Sequence, residues 1–190
     1  GDNPKNGDQP ESVAVNDINS LTLVKTANLM RNAEQYPSGR KIDPPPKFFI
    51  GGAEVPTAGL PDPKKILQKI DAGVDFFQTQ YVFEDSILKE YMNVLEGEGI
   101  LEKTHFIIGI GPFASAKSAK WMNDNLFGVS VPNKIIKRLE QSQDQKKESK
   151  NICIELIQSF REIRGVKGVH LMGHNKEEVI AEIIKESKMQ

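Results

Sequence analysis

The sequence predicts an α/β fold in which parallel strands alternate with helices. Three observations carry this. Short, near-continuous apolar runs recur at Lys47–Ile50, Asp75–Phe83, His105–Ile110 and Val166–Met172, the appearance of strands covered on both faces. Between them lie stretches whose apolar residues fall three and four apart, the period of a helix with one buried face. The joints carry helix start and stop chemistry, as at Asp62-Pro63 and Gly73, a cap with proline at the first helical position and a left-handed glycine at the end. Such alternation gives a parallel sheet covered by helices, with right-handed crossovers.

Each element has its own warrant. Residues 1–16 read as a polar loop containing Gly1, Pro4, Gly7 and Pro10. Asp17 is a candidate N-cap for a helix to about Asn32, with Leu23, Val24, Ala27 and Met30 on one face. Prolines and a glycine across residues 35–46 stop it. Lys47–Ile50 is read as a buried strand running into Gly51-Gly52, and Ile66, Leu67 and Ile70 as the stripe of the helix that Asp62 caps. After the strand Asp75–Phe83, Asp85 is read as the cap of a helix with Leu88, Tyr91, Met92 and Leu95 inward, ending near Gly97–Gly99. Ser115 caps a helix to about Leu126, closed by Gly128, and Pro132 opens a shorter one through Leu139. Residues 141–150 are charge-mixed, a solvated helix face or an exposed connection. Ile152, Cys153, Leu156, Ile157, Phe160 and Ile163 then form a helical stripe. After the last strand, Asn175 and Glu178 resemble a capping box before Val179, Ile180, Ile183 and Ile184.

Composition narrows the function classes. The 190 residues carry 25 Lys+Arg against 26 Asp+Glu, a net charge of −1, which argues against a broad electrostatic footprint for nucleic acid or an anionic membrane. Apolar runs such as Phe106–Ile110 fall far short of the roughly 20 residues of a membrane span. No basic-then-apolar signal opens the sequence. The single cysteine, Cys153, excludes an intramolecular disulfide and fits a cytoplasmic location. The reading is one domain over residues 1–190.

Ligands of parallel sheets sit at the carboxyl ends of strands, so polar residues there matter most. Strict alternation places Phe76, Gln78, Gln80 and Val82 on one face of the second strand and Phe77, Thr79, Tyr81 and Phe83 on the other. The two amides either satisfy each other and nearby backbone, or line a polar mouth and grip a heterocycle. Asp2 alone reads as a turn aspartate. Gly109–Ala114 (GIGPFA) follows a strand and precedes a helix, but Pro112 removes an amide from the loop that should cradle phosphate, so a tight strand-to-helix turn is the better reading. His170 and His174 straddle a strand end with no nearby cysteine, and no metal is assigned. Cys153, Trp121 and Met122 read first as core residues. Lys146, Lys147 and Lys150, mixed with Glu148, make no nucleic-acid patch.

Taken together, GD-x-P at the start, FIGGAEVP, DPKKILQKIDAGVDFFQTQYVFE, FIIGIGPFASAKSAKWMNDNLFGVSVPNKII and GVHLMGHN resemble the methylenetetrahydrofolate reductase family. The most specific pieces are Lys69 to Phe83 and the SVPNKII segment at 130–136. The resemblance implies the C-terminal portion of a (β/α)8 TIM barrel that binds FAD at the strands' carboxyl ends. It implies NAD(P)H as hydride donor and a 5,10-methylenetetrahydrofolate-type acceptor, reduced to 5-methyltetrahydrofolate. It places Asp2 as the catalytic carboxylate beside flavin and pterin. Flavin contacts fall on Gly1, Asp2, Asp62, Lys65, Gln68, Lys69, Gln78, Gln80 and Met172. Substrate contacts fall on Gln80, Ser118, Met122 and Lys176. This sequence departs from some members, which carry arginine at Lys176, tyrosine at Met172, an aromatic at Met122 and glutamine at Ser118, and a histidine loop where AEVPTAGLP stands here. A tetrahydromethanopterin-like carrier is the alternative substrate.

Length adds an expectation. A closed eight-fold barrel takes about 250 residues, and the family's first three strands, the body of the fourth and its general-acid glutamate have no counterpart in these residues. The chain is therefore expected to be incomplete and inactive alone, and to form a homo-oligomer or pair with the missing N-terminal half. A non-catalytic binding or assembly subunit is the alternative.

Overall fold

The computed structural model describes residues 11, 13, 17–173 and 175–188. The loop expected at 1–16, including Gly1 and Asp2, lies almost wholly outside them, as does His174. In chain order the elements are α1 (Ser20–Asn32), β1 (Gly51–Glu54), α2 (Pro63–Ala72), β2 (Phe76–Tyr81), α3 (Asp85–Gly97), β3 (His105–Ile110), α4 (Ala116–Asn125), α5 (Asn133–Gln141), α6 (Gln145–Arg161), β4 (Val166–Leu171) and α7 (Glu177–Glu186). The strands form one four-stranded sheet in the order β1-β2-β3-β4, every pair parallel. Consecutive parallel strands joined by helices are the arrangement of a portion of a (β/α)8 barrel.

The core lies between the sheet and its helices. Phe77, Phe106, Ile108, Leu88, Leu95 and Phe160 are fully buried, and the rings of Phe77 and Phe106 stack at 5.2 Å across β2 and β3. Burying each such side chain contributes about 1.5–3 kcal/mol. On the other face Gly51, Ala53, Gln78 and His105 are exposed. The amides of β2 thus do not sit on a doubly covered strand, and Gln78 has water available on its side of the sheet.

Several local expectations change. The strand expected at Lys47–Ile50 begins instead at Gly51, and Phe48 and Phe49 are exposed. The Ile50 amide donates to the Asp75 carboxylate at 2.7 Å and the Phe48 carbonyl accepts from Arg31 at 3.0 Å, so these groups bond side chains instead of a neighbouring strand. Within β1, a Cβ on Gly51 would stand 2.8 Å from the Phe76 ring and one on Gly52 2.7 Å from the Phe77 ring, so the two glycines let β1 approach β2. The cap of α1 is Asn19, accepting from the Thr22 amide, rather than Asp17. Asp85 does not cap α3; its carboxylate accepts the Ser159 hydroxyl from α6. Of the two readings of residues 141–150, the helix face holds for 145–150, which belong to α6 with Asp144 as its cap. The expected capping box at Asn175 and Glu178 does not form: Asn175 is left-handed, φ 53°, and Lys176 holds the N-cap position without a side-chain bond. Trp121 is 56% exposed rather than core.

Candidate functional site

The carboxyl ends of β1, β2 and β3 are where the fold gathers polar groups. Register between β2 and β3 runs Gln78↔Ile107 and then Tyr81↔Gly109. Thr79 and Gln80 together therefore oppose Ile108 alone, which is a β-bulge. The bulge ends the strict alternation expected over residues 76–83, and Val82 and Phe83 are both buried beyond it.

Gln80 stands half-buried at this kink. Its Oε1 accepts the Tyr81 amide at 3.0 Å, and its Nε2 donates to the Phe127 carbonyl at 3.2 Å. One N–H of the amide is left for a ligand. Phe127 belongs to the segment between α4 and α5, which folds back over the sheet; the Thr57 hydroxyl donates to the Gly128 carbonyl in the same segment. Gly128 is left-handed, φ +71°, and a Cβ there would stand 2.2 Å from Val55 Cγ1 and 3.7 Å from Gln80 Cγ.

A cleft of about 330 Å3 opens between the loop after β1 and the start of α2, reaching Phe127. It is lined by Glu54, Asp62, Lys65, Lys69, Tyr91 and Phe127 among others. Asp62 caps α2, accepting from the Lys64 and Lys65 amides at 3.1 and 3.3 Å. Lys65 is largely exposed, and among the described residues its ion-pair partner is Asp62, at 3.7 Å. Lys69 donates to Glu54 Oε1 at 2.6 Å and to the Ala53 carbonyl at 3.0 Å, leaving the third donor of its ammonium. The Tyr91 hydroxyl donates to Glu54 Oε2 at 2.8 Å. Burial, and then the neighbouring Glu54 charge, push the Tyr91 phenol well above its ordinary value, so it stays a donor to that carboxylate.

The other sequence candidates are spread more widely. Gln68 and Gln78 are exposed, Gln68 on α2 and Gln78 on the open face of β2. Met172 follows β4, its amide donating to Ile110 O at 2.8 Å. Its Cε lies against Gly109, 2.7 Å from where a Cβ would stand. Ser118 closes a capping box on α4: its hydroxyl donates to Ser115 O at 2.8 Å and accepts from the Ala114 and Ser115 amides. Its hydrogen-bonding capacity is filled locally. Met122 packs half-buried against the core from α4. Lys176 starts α7; burial and the nearby Lys146 lower its affinity for a proton. Asp62, Lys65 and Lys69 thus share one cleft, which Gln80 meets through the Phe127 carbonyl, while Ser118 and Met122 lie on α4 and Lys176 at the start of α7.

The family model for methylenetetrahydrofolate reductase matches residues 1–188. The chain belongs to the methylenetetrahydrofolate reductase family.

Within that family, the curated relative "Methylenetetrahydrofolate reductase 2" of Schizosaccharomyces pombe is 29% identical over 130 residues, covering 64% of this chain and 20% of the relative. The chain therefore matches a fifth of that protein's length. Among solved structures, an uncharacterized protein from Clostridium thermocellum, which binds two copies of 5-methyl-5,6,7,8-tetrahydrofolic acid, aligns with TM-score 0.55 at 19% identity. The alignment covers 78% of this chain and 56% of that chain, and what it shows is a shared fold.

The sequence reading of this family member missed Glu54, Tyr91, Phe127 and the structural part of Thr79. Glu54 carried a signal, an acid at the carboxyl end of a strand in FIGGAEVP. Tyr91 looked like core, and its hydroxyl meets Glu54 across 37 positions of sequence. Phe127 acts through its carbonyl, which no side-chain pattern reveals. Among the described residues no group of three or more His, Cys, Asp and Glu is placed to hold a metal, and no helix is long and apolar enough to cross a membrane.

Proposed function

We propose that this chain is the C-terminal part of a flavin-dependent reductase barrel of one-carbon metabolism, taking NAD(P)H as donor and 5,10-methylenetetrahydrofolate as acceptor. The observation that carries the reading is Gln80. In a family member, a side-chain amide is fixed at both ends at the mouth of a parallel sheet with one N–H unused.

The donor set fits a phosphorylated, polar-ringed cofactor such as FAD. Among the described residues Lys65 is an exposed cation whose ion-pair partner, Asp62, stands 3.7 Å away, and Lys69 retains one donor beyond Glu54 and Ala53. When bound, FAD supplies the hydride carrier between nicotinamide and the one-carbon unit. Lys65 and Lys69 would hold its phosphates, with Glu54 keeping the Lys69 ammonium in place. Gln80 would orient the pterin by its free N–H, and Met172 over Gly109 would close the apolar floor of the mouth. Asp2, outside the described residues, is the carboxylate that the family resemblance assigns to the pterin, where it would stabilise positive charge developing on the one-carbon unit. Because the chain spans only part of its relatives, the reaction belongs to the complete protein. A homo-oligomer, or pairing with the preceding half of the barrel, covers the exposed face of the sheet.

The test is the complete protein's absorbance spectrum and its NAD(P)H oxidation with and without methylenetetrahydrofolate. A yellow protein whose oxidation depends on the folate supports the reading. A colourless, inert protein overturns it. Comparing tetrahydrofolate with a tetrahydromethanopterin carrier settles the pterin.

A second reading is favoured by one observation: the Lys69 charge is already neutralised by Glu54, which weakens a phosphate grip. On that reading the protein binds reduced folate without chemistry, as its Clostridium thermocellum neighbour binds 5-methyl-5,6,7,8-tetrahydrofolic acid. Tight folate binding by a flavin-free, catalytically silent complete protein would support it.

A further inference from the structure

The bulge at the end of β2 is built by a side chain. In a regular ladder the Gly109 amide would donate to a β2 carbonyl. Here it donates to the Thr79 hydroxyl at 2.9 Å, and that hydroxyl donates onward to the Gln80 carbonyl, also at 2.9 Å. Thr79 is only 4% exposed, so neither bond has water as a ready substitute. The ladder resumes one residue later, where the Val82 amide meets Gly109 O at 2.9 Å. The partner residue is matched to this geometry. A Cβ on Gly109 would stand 2.5 Å from Thr79 O and 2.7 Å from Gln80 O, so both carbonyls crowd a position that only glycine leaves clear. A bulge re-aims the side chain it carries, and the one carried here is Gln80.

We infer that Thr79 is a positioning residue for the reaction. Its hydroxyl stands in for a missing ladder acceptor, fixes the backbone of Gln80 and thereby aims the Gln80 amide at the mouth. This rests on the reading of Gln80 as the residue that orients the pterin. Thr79 itself touches no substrate. The hydroxyl does the work, its oxygen accepting from the Gly109 N–H and its hydrogen going to the Gln80 carbonyl, so valine, which has the same shape, should fail where serine succeeds.

The experiment uses the complete protein with Thr79→Val, Thr79→Ser, Gln80→Ala and the double variant Thr79→Val/Gln80→Ala. Three quantities are read: flavin content, NAD(P)H oxidation with an artificial acceptor, and folate-dependent turnover. Thr79→Val is expected to lower folate-dependent turnover roughly tenfold, as for the loss of one well-placed hydrogen bond, and to lower the first two readouts less. Thr79→Ser should restore most of it. The double variant should be no worse than Gln80→Ala alone, because both act through one amide. Unchanged turnover in Thr79→Val, additive losses in the double variant, or parallel loss of flavin and turnover would each overturn the inference. If Thr79→Val does not fold, Thr79→Ala against Thr79→Ser makes the same comparison without added bulk. If the wild-type protein has neither flavin nor turnover, the proposed function fails by itself. The inference is then decided by the NMR resonances of the Gln80 side-chain amide and the Gly109 N–H. They should shift in Thr79→Val and stay in Thr79→Ser, and unmoved resonances in Thr79→Val would overturn it.

Discussion

Glu54 Oε1 lies 2.6 Å from the Lys69 ammonium, so the acid that ends β1 and the base presented by α2 form one ion pair at the mouth of the sheet. With side-chain exposures of 28% for Lys69 and 16% for Glu54, removing one partner leaves a half-buried charge alone. Lys69→Met or Glu54→Gln should each destabilise the protein by about 1–3 kcal/mol. Together they should cost less than the sum. Urea denaturation of the single and double variants measures this; independent, additive effects would show that the pair is not coupled.

Gln80→Ala should depress folate-dependent turnover more than flavin retention. Losing one positioning hydrogen bond corresponds to roughly a tenfold effect. Absorbance of the purified variant and its steady-state kinetics separate the two. Equal losses would mean that Gln80 acts mainly on the flavin.

Gly128→Ala should loosen the segment that holds the Gln80 amide. The substitution combines a left-handed backbone position with a Cβ 2.2 Å from Val55 Cγ1, and the left-handed conformation alone costs roughly 1–2 kcal/mol. A lowered melting temperature together with faster amide exchange around Phe127 is the expected result.

Cys153 should be inert in the native state. Burial pushes its thiol up to about 12, against a small opposing effect of Lys176. Labelling by a thiol reagent at mild alkaline pH should therefore be slow and should accelerate on unfolding in urea. The linkage has a definite sign. The folded state keeps the proton between the ordinary value of 9.0 and about 12, while the unfolded state releases it. This contribution to stability is full below pH 9 and is lost as pH rises towards 12. Tyr81 and Tyr91, both raised chiefly by burial, act in the same direction.

Arg138→Lys should weaken the junction of α5 and α6. The guanidinium grips Glu155 with two bonds, at 2.5 and 2.6 Å, while its Nε donates to Glu148. Lysine loses the planar fork. These groups are largely solvent-facing, so the expected loss is about 0.5–1 kcal/mol and should shrink in high salt. The same bonds hold the Glu155 carboxyl below its ordinary value. Their contribution is present above the unfolded carboxyl value and fades as pH falls through the folded one.

What could be read from the sequence was what neighbours in sequence decide. The stripes of α2, α3 and α6, the Ser115 cap and the strand cores are set by local periodicity, and they stand close to where they were expected. The errors fall where a distant group decides. Asp85 has the look of a cap, but Ser159 reaches it from 74 positions away. The first strand starts late where the Asp75 carboxylate, 25 positions away, takes the Ile50 amide. At the site, Gln80 and Lys69 stood out as polar residues in motif positions. Their actual partners, Phe127 O and Glu54, lie 47 and 15 positions away and are fixed only by the fold. Strict alternation along β2 failed because a hydroxyl replaced a backbone acceptor, which no periodicity records.

The strand order has a consequence for how the molecule is made. Among the described residues, strands that pair are neighbours in the chain. None of these three pairings waits for a distant segment, so the loop entropy of each step stays modest. As the polypeptide leaves the ribosome, every new strand finds its template already in place. Assembly of this sheet can follow the order of synthesis, one βα unit at a time.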